Sequence, residues 1–229
     1  MKQTKATIMK IFKQQHWHLI SLFILLIGLY YVVLEDVNIL QGQLWDLNTM
    51  SWFIIAITIP ILHQFYVLIC WRLELHYKKL TKAFGANAFP MYKAGFSLLF
   101  ASRLISIILL AISNAHTAEI GNTFSYILSV SIFVPAIYLF YSVKKYFGMD
   151  RAYGLDHFEP EKVKSMPFVK KGIFRFTSNG MYTFGFLLLW IPGILFQSEA
   201  ALFAALFNHL YIWVHFYFTE LVDIREIYG

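Results

Sequence analysis

The sequence predicts an all-α protein, a polytopic membrane helix bundle of about six transmembrane helices with the N- and C-termini cytoplasmic. Three observations carry that expectation. Hydrophobic residue types make up 59% of the 229 residues and charged types only 14%, with a mean hydropathy of +0.58. Soluble domains hold about 45–50% apolar and about 25% charged residues, so both figures depart in the same direction. No soluble core of a chain this long needs so much apolar sequence. Second, the apolar residues gather into six runs of near-spanning length. Third, the basic residues avoid every other connection between those runs.

A spanning helix needs about 20 mostly apolar residues. The first run, 17–34, follows Lys2, Lys5, Lys10 and Lys13. It is too long, and followed by too many others, to be a cleaved signal peptide, and no small-residue cleavage site follows it. The second run, 50–71, contains Pro60 and leads to Arg72, Lys78, Lys79, Lys82 and Lys93. Membrane helices tolerate such prolines when neighbours satisfy the freed backbone groups. The third, 95–113, holds Arg103, the one basic residue inside any run. The fourth, 124–143, holds Pro135 and opens onto the long connection 144–180. That connection is mixed in charge, with eight basic residues from Lys144 to Arg175 and with Pro160 and Pro167. Loops this long inside compact domains are more often functional than idle. The fifth run, 181–197, contains Pro192. The sixth, 200–218, follows a tight turn at Ser198-Glu199, which makes the last two helices antiparallel neighbours.

Eighteen of the nineteen basic residues lie before the first run, on alternate connections, or after the sixth. The other three connections hold none and carry Glu35, Asp36, Asp46, Glu119 and Glu199 instead. The positive-inside rule then puts both termini and the long loop in the cytoplasm. With no internal repeat and no low-complexity tract, residues 1–229 read as a single membrane domain. Short loops and absent targeting signals suggest a bacterial inner membrane, with the endoplasmic reticulum as the counterpart in a eukaryote.

Several function classes are excluded. The one cysteine, Cys70, allows neither a disulfide framework nor a multi-cysteine zinc or iron–sulfur site. A net charge of +6 fits nucleic acid or an anionic membrane surface, and aromatic residues at 19% in uncharged runs favour the membrane. No nucleic-acid partner is expected. There is no Gly-x-Gly-x-x-Gly, no phosphate-binding Gly-x-x-x-x-Gly-Lys loop and no Gly-x-Ser-x-Gly elbow. The His-rich boxes of membrane di-iron enzymes are missing, and no metal is expected. Any chemistry must be built at the membrane face.

The polar residues inside the runs are the first candidates. His63, His209 and His215 lie within runs, where polar groups are costly and turn inward. Packing, substrate-site lining and haem ligation are all open to them, and no spacing favours haem. In the sixth run, at about 100° per residue, Asn208, His215 and Thr219 share one stripe, and His209, Trp213, Phe216 and Glu220 share the next. Two adjoining polar-aromatic stripes cannot both face lipid cheaply. They either make interhelical hydrogen bonds or wall a site, with Glu220 at its cytoplasmic mouth. Arg103 lies roughly 12 Å in from Gly95 at 1.5 Å per residue. It either snorkels to the interface or holds a lipid phosphate or carboxylate.

The segment Phe168-Val169-Lys170-Lys171-Gly172-Ile173-Phe174-Arg175-Phe176-Thr177-Ser178-Asn179-Gly180-Met181-Tyr182 carries a resemblance. It resembles the cofactor motif of the integral-membrane methyltransferases. These include isoprenylcysteine carboxyl methyltransferase and phosphatidylethanolamine N-methyltransferase. In the first group the motif reads roughly Leu-Val-x-x-Gly-x-Tyr-x-x-x-Arg-His-Pro-x-Tyr. Asn179-Gly180-Met181-Tyr182 is closer to the Asn-Pro-Met-Tyr of the phospholipid enzymes. Thr219-Glu220 and Glu226-Ile227-Tyr228 are similar to their Glu-Glu pair and trailing Glu-Ile-Tyr, and Tyr146-Phe147-Gly148 to their upstream part. Gly180 departs from the family proline and Thr219 from the first glutamate. The glycine leaves the turn less rigid, and Glu220 must act without its neighbour. The resemblance covers residues 144–229.

The resemblance implies methyl transfer from S-adenosylmethionine to a membrane-lipid acceptor, most directly the amine of phosphatidylethanolamine or a methylated derivative. The implied cofactor-binding residues are Met166, Phe168, Val169, Gly172, Phe174, Asn179, Met181, Tyr182 and Glu220. The loop 166–172 would fold over the cofactor and Phe174 would lie against the sulfonium. Arg103, Arg175, Asn208 and His209 are the substrate-binding candidates. His157, oriented by Asp156, is the candidate base for the amine proton, with His215 as the alternative. Two rival readings stand beside this one. One is transfer to a carboxylate or thiol of a lipidated substrate. The other is a non-enzymatic transporter or structural subunit.

Overall fold

The computed structural model describes residues 10–229. Lys2 and Lys5, the first of the basic residues in the charge pattern, lie outside the described residues. Five helices are long and apolar enough to cross a membrane, and a sixth apolar segment, Gly180–Leu195, is shorter. The protein is therefore an all-α polytopic bundle. Its elements run α1 (Gln15–Glu35), α2 (Thr49–Tyr77), the short α3 (Lys79–Phe84), α4 (Ala88–Ser113) and α5 (Asn122–Ser142). The long loop carries three single-turn helices, α6 (Met149–Ala152), α7 (Leu155–Phe158) and α8 (Pro160–Lys164). Then come α9 (Gly180–Phe184), α10 (Trp190–Leu195), α11 (Glu199–His215) and α12 (Leu221–Tyr228). A two-residue hairpin, β1 (Gln43–Leu44) with β2 (Leu47–Asn48), caps the connection from α1 to α2.

The fifth run differs from a plain spanning helix. A 3₁₀ stretch, Gly185–Leu189, joins α9 to α10. The first break falls at Gly185, and a second glycine, Gly193, lies within α10; both pack against neighbours. A Cβ on Gly185 would sit 3.1 Å from Leu139 of α5, and one on Gly193 would sit 3.0 Å from Leu202 of α11. The larger 3₁₀ rise stretches these sixteen residues to about 26 Å, close to the hydrocarbon thickness of about 30 Å.

At the centre stands α11, packed on α1, α2, α4 and α10. Ala200, Ala201, Ala204 and Ala205 on its first half are fully buried. Small side chains let backbones approach closely, which is the main source of helix affinity where lipid removes the hydrophobic drive. The principal core runs from Leu22 of α1 through Trp52 and Ile107 to Tyr211 and Ile212 of α11, so both halves of the chain share it. The expected turn before α11 is present. Ser198 caps the helix by accepting from the Ala201 N–H at 3.2 Å, and its hydroxyl donates to Asn114 at 2.8 Å.

Two helices end in π-turns, at Val143–Phe147 and Phe216–Glu220. A π-turn widens the helix by one residue and releases a carbonyl from the regular ladder. After α11 the released group is Phe218 O. It accepts from Gln15 Nε2 of α1 at 2.8 Å and from Arg72 Nη2 of α2 at 3.4 Å. The N-terminal residues, the end of α2 and the end of α11 thus meet at one end of the bundle, where the basic connections also lie.

Candidate active site

Three groups of polar side chains assemble at that end. The first joins the two motif segments. Tyr182 of α9 donates its phenolic hydrogen to the Glu220 carboxylate. Its ring lies 5.1 Å from that of Phe216 and 5.8 Å from that of Trp213. The stripe His209, Trp213, Phe216 and Glu220 therefore faces α9. Glu220 is half-buried, and among the described residues no cation lies within ion-pair reach of it. A carboxylate held by one neutral donor in a largely dry place is matched to an incoming ammonium.

The second group docks the long loop. Arg72 is fully buried and its Nε donates to both oxygens of Asp223, at 3.1 and 3.3 Å. Its Nη1 donates to the carbonyls of Ile11 and Lys13, each at 2.8 Å. Asp223 also faces His157 Nε2 at 3.5 Å, while His157 Nδ1 bonds Asp156 at 2.9 Å. The His157 ring stacks on Trp71 with centroids 4.0 Å apart. Gly154 makes this stacking possible. It has φ +86°, and a Cβ there would strike the Trp71 ring at 2.4 Å.

Burial opposes a charge on His157. The hydrogen bond with Asp156, the contact with Asp223 and the charges of both outweigh it, raising the imidazole to about 9. Burial likewise opposes the Asp156 charge, but the bond to His157 prevails and holds the carboxyl below its ordinary range. The imidazolium therefore stabilises the docked loop in full below about 6.5, the unfolded value, and that contribution fades as pH rises through 9. Asp156 contributes above about 4, and its share is lost as pH falls. The histidine part corresponds to about 3 kcal/mol. Limited proteolysis at the exposed Lys162 and Lys164 is expected to accelerate between pH 7 and 10, and His157→Asn to flatten that rise. Cleavage that stays slow up to pH 10 in the unmodified chain would contradict the docking role.

The third group lies deeper. His18 Nε2 bonds the Tyr211 hydroxyl at 2.8 Å, and the His215 ring stands 6.1 Å from His18 and 5.9 Å from Trp71. His215 is 2% exposed, and among the described residues neither ring nitrogen has a hydrogen-bond partner. The stripe Asn208, His215 and Thr219 is buried along its whole length.

The remaining candidates are spread out. Val169, Ile173, Phe174 and Met181 pack with Leu139 of α5 and Val143 of the π-turn after it, and Phe174 stacks on Phe147 at 5.2 Å. The Phe174 ring thus backs the motif instead of facing Tyr182 and Glu220. Gly172, at φ +60°, lets the loop pass close to α5, where a Cβ would lie 2.5 Å from Ser142 Oγ. Asn179 accepts from the Thr183 hydroxyl through its carbonyl, at 3.2 Å. Met166 is half-buried, and Phe168 and Arg175 are exposed. His209 accepts from Trp190 Nε1 at 3.1 Å, and Asn208 donates to the Ala204 carbonyl at 2.9 Å.

Three residues central to this end went unnoticed in the sequence. Trp71 closes the second run, Arg72 enters only as one of the basic residues that follow it, and Asp223 carries no motif of its own. The spacing of Thr219 and Asp223, one helical turn apart, was the available signal: a carboxylate follows where the resembled pair has lost one.

No curated protein and no solved structure matches the chain. One family model does match, over 124–229, which takes in nearly all of α5, the long loop, Tyr182 and Glu220. Its description is phospholipid methyltransferase, which supports a membrane methyltransferase acting on lipid. Over residues 124–229 the chain matches the phospholipid methyltransferase family, in agreement with the integral-membrane methyltransferase motifs legible in its sequence.

Proposed function

We propose that this protein transfers the methyl group of S-adenosylmethionine to the amine of phosphatidylethanolamine or a partly methylated form. The observation that carries this reading is the hydrogen bond from Tyr182 to Glu220, which unites the two motif segments at one end of the bundle. The core shared by both halves supports one membrane domain over 1–229. The clustering of basic connections at the same end supports a site facing the cytoplasm.

When bound, S-adenosylmethionine supplies an electrophilic methyl group on a sulfonium. Glu220 takes the ammonium of its amino-acid part. Tyr182 and Asn179 line the adenosine end. Phe168 and Met166, exposed and half-buried, are free to turn over the ligand, while Val169, Gly172, Phe174 and Met181 brace the motif from behind. The aromatic face that the resemblance gave to Phe174 passes to Phe216 and Trp213, whose rings flank Tyr182. These rings also exclude water and hold the amine in line with the methyl group.

The amine arrives protonated, with an ordinary pKa of about 10.4, and must lose that proton before it attacks. His157 has both nitrogens on carboxylates and is charged at neutral pH, so with Asp156 it acts as a positioning residue for the loop. His215, the alternative base, lies on the stripe that faces His18 and Trp71, away from Glu220, so the amine sheds its proton through desolvation beside the sulfonium charge. Arg175, exposed on the loop, steers the anionic headgroup toward the site. Asn208 and His209, already bonded within the bundle, serve packing.

The test is transfer of labelled methyl from S-adenosylmethionine to phosphatidylethanolamine in sealed membrane vesicles. Inside-out vesicles with the cofactor added outside are expected to accumulate labelled lipid, and right-side-out vesicles to accumulate none. Absence of transfer to any aminophospholipid overturns the acceptor.

A further inference from the structure

Deeper in the bundle lies a pair of polar side chains that the Tyr182–Glu220 site does not use. Arg103 of α4 is 1% exposed and His63 of α2 is 3% exposed. Arg103 donates through Nη2 to the Pro60 carbonyl at 3.2 Å, and its guanidinium carbon lies 5.7 Å from the centre of the Phe186 ring. Among the described residues its Nε has no hydrogen-bond partner, and neither ring nitrogen of His63 has one. The His63 ring is held edge-on to Phe96 at 4.5 Å, so it is not free to seek a partner elsewhere. Arg103 is an electrostatic neighbour of His63, His215 and Tyr211, none of which carries a negative charge at neutral pH.

A guanidinium stays protonated in proteins, so this is a buried cation without an anion. Snorkelling does not relieve it. Nine residues of α2 separate His63 from Arg72 at the basic end, about 13 Å along the helix. Intramembrane charges otherwise pair with one another or line a pathway. Three unpartnered nitrogens that share one buried place mark the position of a missing acceptor.

We propose that Arg103 and His63 form an anion site inside the bundle, which takes a phosphate or a carboxylate of a bound substrate. Arg103 Nε and a ring N–H of His63 donate to the anion's oxygens, while Nη2 stays on Pro60 and fixes the guanidinium plane. Phe186, which covers Arg103, follows Tyr182 by one helical turn, so the site adjoins the methyl-transfer site. The anion has two possible sources, the phosphate of the acceptor lipid or the carboxylate of the methyl donor. Only the naming of those sources rests on the methyl-transfer reading; the anion affinity does not.

Two matched pairs of probes separate the sources, used on the full chain in detergent. Dioleoyl phosphatidate against dioleoylglycerol in mixed micelles reports a phosphate, and S-adenosylhomocysteine against its decarboxylated analogue reports a carboxylate. The unmodified chain is expected to prefer the anionic member of at least one pair. Arg103→Gln is expected to reduce that preference about tenfold or more, and Arg103→Lys to keep most of it. His63→Ala, which changes no buried charge, is expected to reduce it a few-fold and serves where Arg103→Gln fails to fold. Equal binding of both members in both pairs, or a preference that neither substitution changes, overturns the site. A chain that transfers no methyl group yet prefers phosphatidate through Arg103 keeps the anion site and loses the methyl-transfer reading. Methyl transfer with no such preference does the reverse.

Discussion

Replacing Glu220 with Gln is expected to lower affinity for S-adenosylmethionine about 10- to 100-fold while the chain still extracts as a folded species. The substitution keeps shape and leaves an amide oxygen to accept from Tyr182, so the contact between α9 and the end of α11 survives. What disappears is the negative charge. Glu220 has no cation of its own among the described residues, so its charge is available to an ammonium ligand. A hydrogen bond to a charged group contributes about 1.5–3 kcal/mol, which sets the range. Calorimetric titration of the solubilised protein measures it. Unchanged affinity would remove Glu220 from the cofactor site and leave Tyr182 as its structural partner only.

Asp223→Asn is expected to cost about 3–5 kcal/mol of stability, the largest effect of any single change at this end. Arg72 is fully buried and, among the described residues, Asp223 is the carboxylate that pairs with it, with His157 on the other side of the same carboxylate. Loss of one charge leaves a guanidinium and an imidazolium facing each other across a neutral amide. The pair itself need not stabilise the fold, because desolvating both ions offsets their attraction. Hence the double replacement Arg72→Met with Asp223→Leu is expected to be less destabilising than Asp223→Asn alone. Unfolding in detergent titrated with dodecyl sulfate gives the order of the three proteins. A double variant at least as unstable as Asp223→Asn would argue against a closed ion pair.

These two residues also mark how far sequence reasoning reaches. Glu220 was legible because it falls in a motif whose order and spacing resemble a known pattern. Asp223 and Arg72 belong to no motif. They are separated by 151 positions, and nothing in either neighbourhood signals the other. Arg72 even misleads, because a base at the end of an apolar run is the ordinary interfacial pattern. It is fully buried, and its Nη2 reaches the Phe218 carbonyl of the π-turn, which also accepts from Gln15. Gln15 also donates to Thr219 Oγ1 at 3.2 Å. The residue that departs from the resembled glutamate pair is thus turned toward α1, and Glu220 toward α9.

His157 shows the same boundary from another side. Its adjacency to Asp156 was visible, and the hydrogen bond between them forms. Its third neighbour, Asp223, was not visible, and that neighbour changes the chemistry. One carboxylate orients an imidazole; two hold it as a cation. His215 carried no local signal that separated it from His63 or His209. Its free nitrogens and its place beside Trp71 and His18 depend on three helices meeting.

The sequence by itself determined what depends on the solvent and on local order. Runs of apolar residues dictate helices because lipid cannot satisfy an open backbone. The turn before α11 dictates its antiparallel neighbour, and the motif order brings Tyr182 and Glu220 to one end. Only the tertiary structure decided which polar groups are paired. Partners such as Arg72 with Asp223, or gaps such as those at Arg103 and His63, are set by helix rotation and by one-residue changes of register at the π-turns. Hydropathy is insensitive to such rotations, because one turn of helix carries much the same composition whichever way it faces, whereas a hydrogen bond is lost within an ångström.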